Sequence, residues 1–195
     1  MKNLVVTISR QYGSGGRSIG QQLAKELGIP FYDKEIIDLA AKESGLSEEA
    51  IAASETQRSS SLLYSLSILG SQLPLADQVY LVKSSVIKQV ADEGPCVIVG
   101  CCGDYVLNSR KDVLNVFLYG SEDLRIAQGQ AEGLLPADHA AALSALHKAD
   151  RKKADYYLYY TQNRWGQAQN YDLCLNAELG ADLCAQLIED AYTKG

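Results

Sequence analysis

The stretch Leu4-Val5-Val6-Thr7-Ile8-Ser9-Arg10-Gln11-Tyr12-Gly13-Ser14-Gly15-Gly16-Arg17-Ser18-Ile19 decides the fold. Leu4–Ile8 is a short β-branched apolar run that reads as a buried strand. Three glycines then fall in the four positions 13–16, and a helical pattern starts near Arg17. Ile19, Leu23 and Leu27 recur every four residues, Ala24 widens the face, and Gly28 with Pro30 stops the helix. Strand, glycine-rich loop and helix in series deliver backbone N–H groups to an anion at a helix N-terminus. Gly13, Gly15 and Gly16 leave room for the loop, Ser14 included, to turn its amides inward around phosphate oxygens. Arg17 adds a fixed positive charge, and Ser18 adds a hydroxyl near a magnesium ion.

The pattern departs from G-x-x-x-x-G-K-[ST]. With Gly16-Arg17-Ser18 as its last three positions, Gln11 stands where the first glycine belongs and Arg17 where lysine belongs. A shift back by one aligns Gly15 with the last glycine but puts Gly16 in place of the cation. The first register is preferred because it keeps a cation and a hydroxyl. The other reading of the segment is an ordinary glycine-rich turn. Arginine pairs with phosphate bidentately but lacks the compact, mobile charge of lysine, so binding is better supported than rapid turnover.

Outward from this unit, Phe31–Tyr32 reads as a strand end, and Asp33 stands where it either caps a helix running through Ala41 or orients substrate and magnesium-bound water. Residues 48–64 are polar and serine-rich. Val79, Val82, Val86 and Val90 give helix 78–91 an apolar face, which Gly94–Pro95 ends. Cys96–Val99 is apolar without alternation, as in the middle of a parallel sheet covered on both sides. Asp104–Leu107 predicts a short helix, Val113–Tyr119 a buried strand, and Ser121-Glu122-Asp123 a helix start. Asp138 caps an alanine-rich helix carrying Lys148, Arg151, Lys152 and Lys153, the densest positive patch of the chain. Tyr171–Leu175 is a last strand, and Leu183, Leu187, Ile188 and Ala191 mark a terminal helix. Buried strands separated by helices predict an α/β three-layer body: a single domain over 1–195, with excursions near 35–75 and 125–165.

Composition fits that body and excludes others. The chain has 195 residues, with 18 basic against 24 acidic residues and a net charge of −6. This acidity argues against broad wrapping of nucleic acid but leaves room for a nucleotide held by a few local donors. No apolar run approaches the length of a spanning helix, and the N-terminus lacks a secretory pattern. The expectation is a cytoplasmic protein with no membrane partner. Five irregularly spaced cysteines and two histidines give no zinc pattern and read as reduced, mainly structural thiols.

Several single residues are open to two readings. Asp104 lies near the end of a central strand, and Arg110 and Arg125 are placed either to meet substrate phosphates or to face solvent. Lys148, Arg151 and Lys152 share one helical face, with Lys153 off it, and serve either as a closing lid over phosphoryl oxygens or as a solvated side. Tyr156, Tyr157, Tyr159 and Tyr160 stack on a base, pack the lid or join a second subunit. Asn170, Asp172 and Asn176 line the nucleotide end of the final strand or satisfy local turns. His139 and His147 read as surface residues.

At these residues the chain resembles the cytidylate-kinase-like group of P-loop nucleoside-monophosphate kinases. The likeness runs through TISRQYGSGGRSIG at 7–20, LGIPFYDKEII at 27–37, LPLADQVYLV at 73–82, GPCVIVGCCGDYVL at 94–107 and NYDLCLN at 170–176. The resemblance implies a P-loop kinase fold with a parallel core, a helical monophosphate-binding excursion and a mobile lid. It implies ATP and Mg²⁺ as cofactors and transfer of the γ-phosphoryl group to CMP or a related monophosphate. By position, the resemblance makes Gly13–Ser18 the donor-phosphate loop, Asp33 a substrate-side acidic residue, and Arg125 and Arg151 phosphate clamps. Together with the residue readings above, the expectation is Arg17, Arg125 and Arg151 as catalytic cations, Asp33, Asp104 and Arg110 on the substrate side, and Ser18 toward the metal. Cys101 occupies the place of an arginine in the group's usual GRCADYVL, which weakens the acceptor assignment. A nucleotide-binding regulator with weak or no turnover, a kinase for another small acceptor, and a self-associating protein remain as alternatives.

Overall fold

The computed structural model describes residues 4–33 and 74–194, with single positions at 36, 38, 39, 43 and 45. The excursion expected near 35–75, and most of the helix expected through Ala41, lie outside the described residues. Strands β1 (Val5–Arg10), β2 (Phe31–Tyr32), β3 (Cys96–Val99), β4 (Val113–Tyr119) and β5 (Leu173–Asn176) form one sheet in the order β2-β3-β1-β4-β5. Every pairing is parallel. The described α-helices are α1 (Gly16–Leu27), α2 (Leu75–Glu93), α3 (Gly103–Val106), α4 (Glu122–Ala131), α5 (His139–Thr161) and α6 (Ala181–Lys194).

The side-chain alternation of β1 builds the three layers. Val6 and Ile8 face Ile19 and Leu23 of α1 and Cys184, Ala185 and Ile188 of α6. Val5 faces the other way, into a core with Val79, Val86, Ile87 and Val90 of α2 and Val106 of α3. β3 is buried at all of its positions because helices cover both faces, as its unbroken apolar run predicts. A separate small cluster of Ile126, Leu135, Ala142 and Leu146 joins α4 to α5. None of the described helices is long and apolar enough to cross a membrane.

The local signals act where the sequence places them. Ser121 Oγ accepts from the Leu124 amide at 3.3 Å, and Asp138 Oδ2 accepts from the Ala141 amide at 2.8 Å. Gly28, at φ 65°, closes α1 by donating its N–H to the carbonyls of Ala24 and Lys25. β5 starts two residues later than the expected Tyr171, because Ala168–Asn170 forms a 3-10 turn ahead of it.

One topological feature positions the site. β1 runs into α1 on one face of the sheet, while its neighbour β3 runs into α3 on the opposite face. Where adjacent parallel strands send their connections to opposite sides, a crevice opens at their C-terminal ends. β3 stops at Val99, opposite Ile8, so β1 runs two residues beyond it, through Ser9 and Arg10.

Candidate functional site

The loop between β1 and α1 is built on two left-handed glycines, Gly13 at φ 76° and Gly15 at φ 71°. Between them Ser14 is buried, and its hydroxyl donates to the Gln11 carbonyl at 2.9 Å. Gly15 is the N-cap of α1, and no side chain caps the helix there. The first-turn amides have no acceptor within the helix, and the macrodipole makes this end positive. A helix head of this kind, entered through left-handed glycines and left without a side-chain cap, is able to receive anionic oxygens. The loop is closely packed from behind. A Cβ on Gly13 would lie 2.3 Å from the Arg125 carbonyl oxygen, and one on Gly15 would lie 2.0 Å from Nε2 of Gln128.

Charged groups converge on this loop from β1, α1, α4, α5 and the residue that follows β2. Arg17 Nε donates to Asp33 Oδ2 at 2.8 Å, and Arg10 Nη2 lies 3.8 Å from the other Asp33 oxygen. Ser18 Oγ donates to Glu132 Oε1 at 3.4 Å. Arg125 of α4 is buried, pairs through Nη1 with Asp150 of α5, and donates to the Tyr12 carbonyl at 3.3 Å. The Tyr12 amide donates to the same Asp150 carboxylate at 2.7 Å.

Beside the loop, the crevice widens into a cavity of about 390 Å³. It is lined by Ser9, Arg10, Tyr12 and Asp33, by the Gly100–Cys102 turn, and by Lys152, Lys153 and Tyr156 of α5 with Trp165 beyond it. Gly100, Cys101 and Cys102 all have positive φ, at 84°, 57° and 56°. Two successive non-glycine residues in the left-handed region mark local strain of the kind found at binding sites. The turn is tight against Arg10, since a Cβ on Gly100 would meet Arg10 Nη1 at 2.3 Å. Lys153 Nζ stands 5.6 Å from the Tyr12 ring centroid, a cation–π contact between two lining residues.

Against the expectations, the structure brings Arg17, Ser18, Asp33 and Arg125 around the loop and leaves three residues elsewhere. Arg110 pairs with the carboxylates of Asp92 and Asp112, and the Asp112 backbone carbonyl accepts from the amides of Leu4 and Val5 where β1 begins. It sits at the N-terminal rim of the sheet, opposite the loop. Arg151 is exposed and lines no wall of the cavity, whereas Lys152 and Lys153 both do. The cavity face of α5 runs through Ala149, Lys152, Lys153, Tyr156 and Tyr157, so the expected face was one position out of phase. Asp104 is buried at the start of α3 and accepts from the Tyr157 hydroxyl at 2.5 Å. Burial raises its carboxyl above the ordinary value, against the lowering effect of that hydrogen bond.

The tyrosine run packs rather than projects. Tyr160 stacks on Tyr80 of α2 at 3.9 Å and donates to Asp77, while Tyr157 holds Asp104. Among these tyrosines, Tyr156 and Tyr157 line the cavity. Asp172 accepts from the Asn115 amide, Asn176 binds Glu178, and Asn170 donates to the Arg164 carbonyl, so all three serve local turns and strand pairing. His139 and His147 are exposed and face Asp123 and Glu122. Arg10, Tyr12 and Asp150 were not singled out from sequence. Arg10 alone carried a signal, as a cation at the C-terminal end of the strand that feeds the loop.

Among the described residues, no group of three His, Cys, Asp or Glu side chains converges to hold a metal. Mg²⁺ makes few protein contacts and is usually shared with substrate phosphates, so one hydroxyl such as Ser18 at a helix head fits it. For a polyphosphate, the fit lies in the uncapped head of α1 and in Arg125, whose Nε is buried without a hydrogen-bond partner.

The description "cytidylate kinase-like family" matches residues 5–179 of the chain. No curated protein matches it. Among solved structures, an uncharacterized protein from Eubacterium ventriosum superposes with a TM-score of 0.76 at 23% identity, covering 100% of both chains. Shikimate kinase from Bacteroides thetaiotaomicron superposes with a TM-score of 0.58 at 14% identity, covering 96% of this chain and 97% of its own. A gluconokinase from Sinorhizobium meliloti gives 0.51 at 14% identity, over 100% of this chain and 99% of its own. The parallel sheet with its β1–loop–α1 unit is thus the P-loop kinase fold.

Proposed function

Because the chain belongs to the cytidylate kinase-like family, we propose that it transfers the γ-phosphoryl group of ATP to a phosphate-bearing acceptor, CMP or a related nucleoside monophosphate. The observation that carries this reading is a glycine loop at an uncapped helix head adjoining a cavity lined by three cations, Arg10, Lys152 and Lys153. A volume of about 390 Å³ is in the range of small-molecule pockets.

ATP supplies the phosphoryl group, and Mg²⁺ neutralises part of its charge. Gly13, Gly15 and Gly16 cradle the donor phosphates through backbone amides, Ser14 braces the loop by donating its amide and hydroxyl to the Gln11 carbonyl, and Ser18 is the hydroxyl toward the metal. Arg125 faces the transferring group from α4, and Arg17 joins it by exchanging Asp33 for phosphate. Lys152 and Lys153, rather than Arg151, neutralise the acceptor phosphate from α5. Asp33 and Arg10 border both the loop and the cavity and orient the acceptor. Such a reaction depends on positioning and electrostatics, and the attacking phosphate oxygen requires no nucleophilic side chain.

A second reading has its own support. Arg17, Ser18 and Arg125 are each engaged by a carboxylate, from Asp33, Glu132 and Asp150 respectively. A loop so occupied suits a nucleotide-binding regulator with little turnover. Incubation with γ-labelled ATP, Mg²⁺ and CMP, UMP or dCMP separates the two: labelled diphosphate supports the kinase, and ATP binding without labelled product supports the regulator.

A further inference from the structure

Asp150 projects from α5 onto two donors that belong to other elements. Its Oδ1 accepts from the Tyr12 amide in the phosphate loop, and its Oδ2 pairs with the Arg125 guanidinium of α4. The Arg125 side chain is 5% exposed and that of Asp150 17%, so the pair is largely withdrawn from solvent. A backbone N–H at a glycine-rich loop and a buried arginine are the donors that hold a phosphoryl oxygen. The carboxylate of Asp150 occupies both. It does not saturate them, because Nε of Arg125 is buried with no partner. A buried donor left unpaired calls for an acceptor. A phosphate presents more oxygens than a carboxylate and can meet that donor as well.

We propose that Asp150 is an internal anion holding the place of a donor phosphate, and that polyphosphate binding displaces it from Arg125 and the Tyr12 amide. Asp150 is thus a positioning residue that sets donor affinity by competition. The helix it anchors also carries Lys152 and Lys153 into the acceptor cavity. Its release therefore links occupation of the donor seat to the placing of those two cations. This inference rests on the phosphotransfer reading of the loop.

The test compares the full chain with Asp150→Asn in calorimetric titrations with inorganic tripolyphosphate and ATP at fixed ionic strength, alongside thermal melts. Competition predicts that Asp150→Asn melts lower when free, binds tripolyphosphate at least tenfold more tightly, and gains a larger Tm increment from it. A purely structural ion pair predicts the lower melting point with unchanged or weaker affinity, which overturns the inference while leaving phosphotransfer standing. Binding by the variant alone supports both readings, and binding by neither chain overturns both. Should the variant fail to fold, the natural chain still decides. On tripolyphosphate addition, the Asp150 carboxyl carbon and Tyr12 amide resonances must shift together and saturably, and their invariance in a chain that binds the probe overturns the displacement.

Discussion

Replacing Gly13 and Gly15 one at a time by alanine separates a loop packed on backbone from one packed on a side chain. Both residues have left-handed φ, at 76° and 71°, which costs an L-residue about 1–2 kcal/mol. The added Cβ then meets different neighbours. At Gly15 the obstacle is the amide end of Gln128, which a rotamer change removes. At Gly13 it is the Arg125 carbonyl, 2.3 Å away within the helix, which cannot move without shifting α4. Overpacking of this kind costs about 1–3 kcal/mol more, so Gly13→Ala is expected to lose about 2–5 kcal/mol and Gly15→Ala about 1–2. At ~2–4 °C per kcal/mol for a chain of this size, Gly15→Ala melts about 2–8 °C lower and Gly13→Ala about 4–20 °C lower. Urea titration with a shared m-value, checked by thermal melting, reads the difference. Equal midpoints for the two variants would refute the close packing of the loop on α4.

Other outcomes follow from the placement of single side chains. Lys152→Ala and Lys153→Ala should each raise the acceptor KM about tenfold while Arg151→Ala leaves it near the natural value, since a charge pair at about 4 Å is worth about 4 kcal/mol before desolvation; equal effects of all three would place the phosphate elsewhere. Arg110→Ala should cost about 1 kcal/mol in urea melts, through loss of its fork onto Asp112, with ATP affinity unchanged; weakened binding would contradict its position at the far rim. Burial holds the Asp104 proton more tightly in the folded state than in the unfolded chain, where the ordinary value is 3.8. Its contribution is therefore fully present below the unfolded value and is lost as pH rises through the folded one. Asp104→Asn keeps an acceptor for Tyr157 without the charge. It should raise Tm near neutral pH, with the gain fading as pH falls toward about 4; a gain constant across pH would show that titration is not its source.

What the sequence reveals here follows the range of each interaction. β1, the loop and α1 were legible because strand burial, left-handed glycines and helix periodicity are local and sit in one uninterrupted run. β3 was legible from four apolar residues without alternation. The two readings of Arg110 stayed open in the sequence because charge says nothing about which end of a parallel sheet a connection occupies. The face of α5 depends on rotation about the helix axis, where one residue is about 100°, so Lys153 rather than Arg151 reached the cavity. Arg125 and Asp150 are 25 positions apart, and Tyr12 and Asp150 are 138 apart. No spacing rule connects them; only the packing of α4 and α5 over the loop does. The tyrosines read ambiguously because Tyr156, Tyr157, Tyr159 and Tyr160 spread over nearly half of the helix circumference, and only the partners Tyr80, Asp77 and Asp104 decide which of them turn inward.

The measurement that bears most directly on the central claim follows the backbone amides of Gly13 through Ser18 in a ¹⁵N-labelled chain as ATP and Mg²⁺ are added. Seating of phosphates predicts saturable shifts largest at Gly15, Gly16, Arg17 and Ser18, reproduced by tripolyphosphate alone. Saturating nucleotide that leaves these amides unmoved, or moves only residues remote from the crevice, would contradict the anion seat and the phosphotransfer built on it.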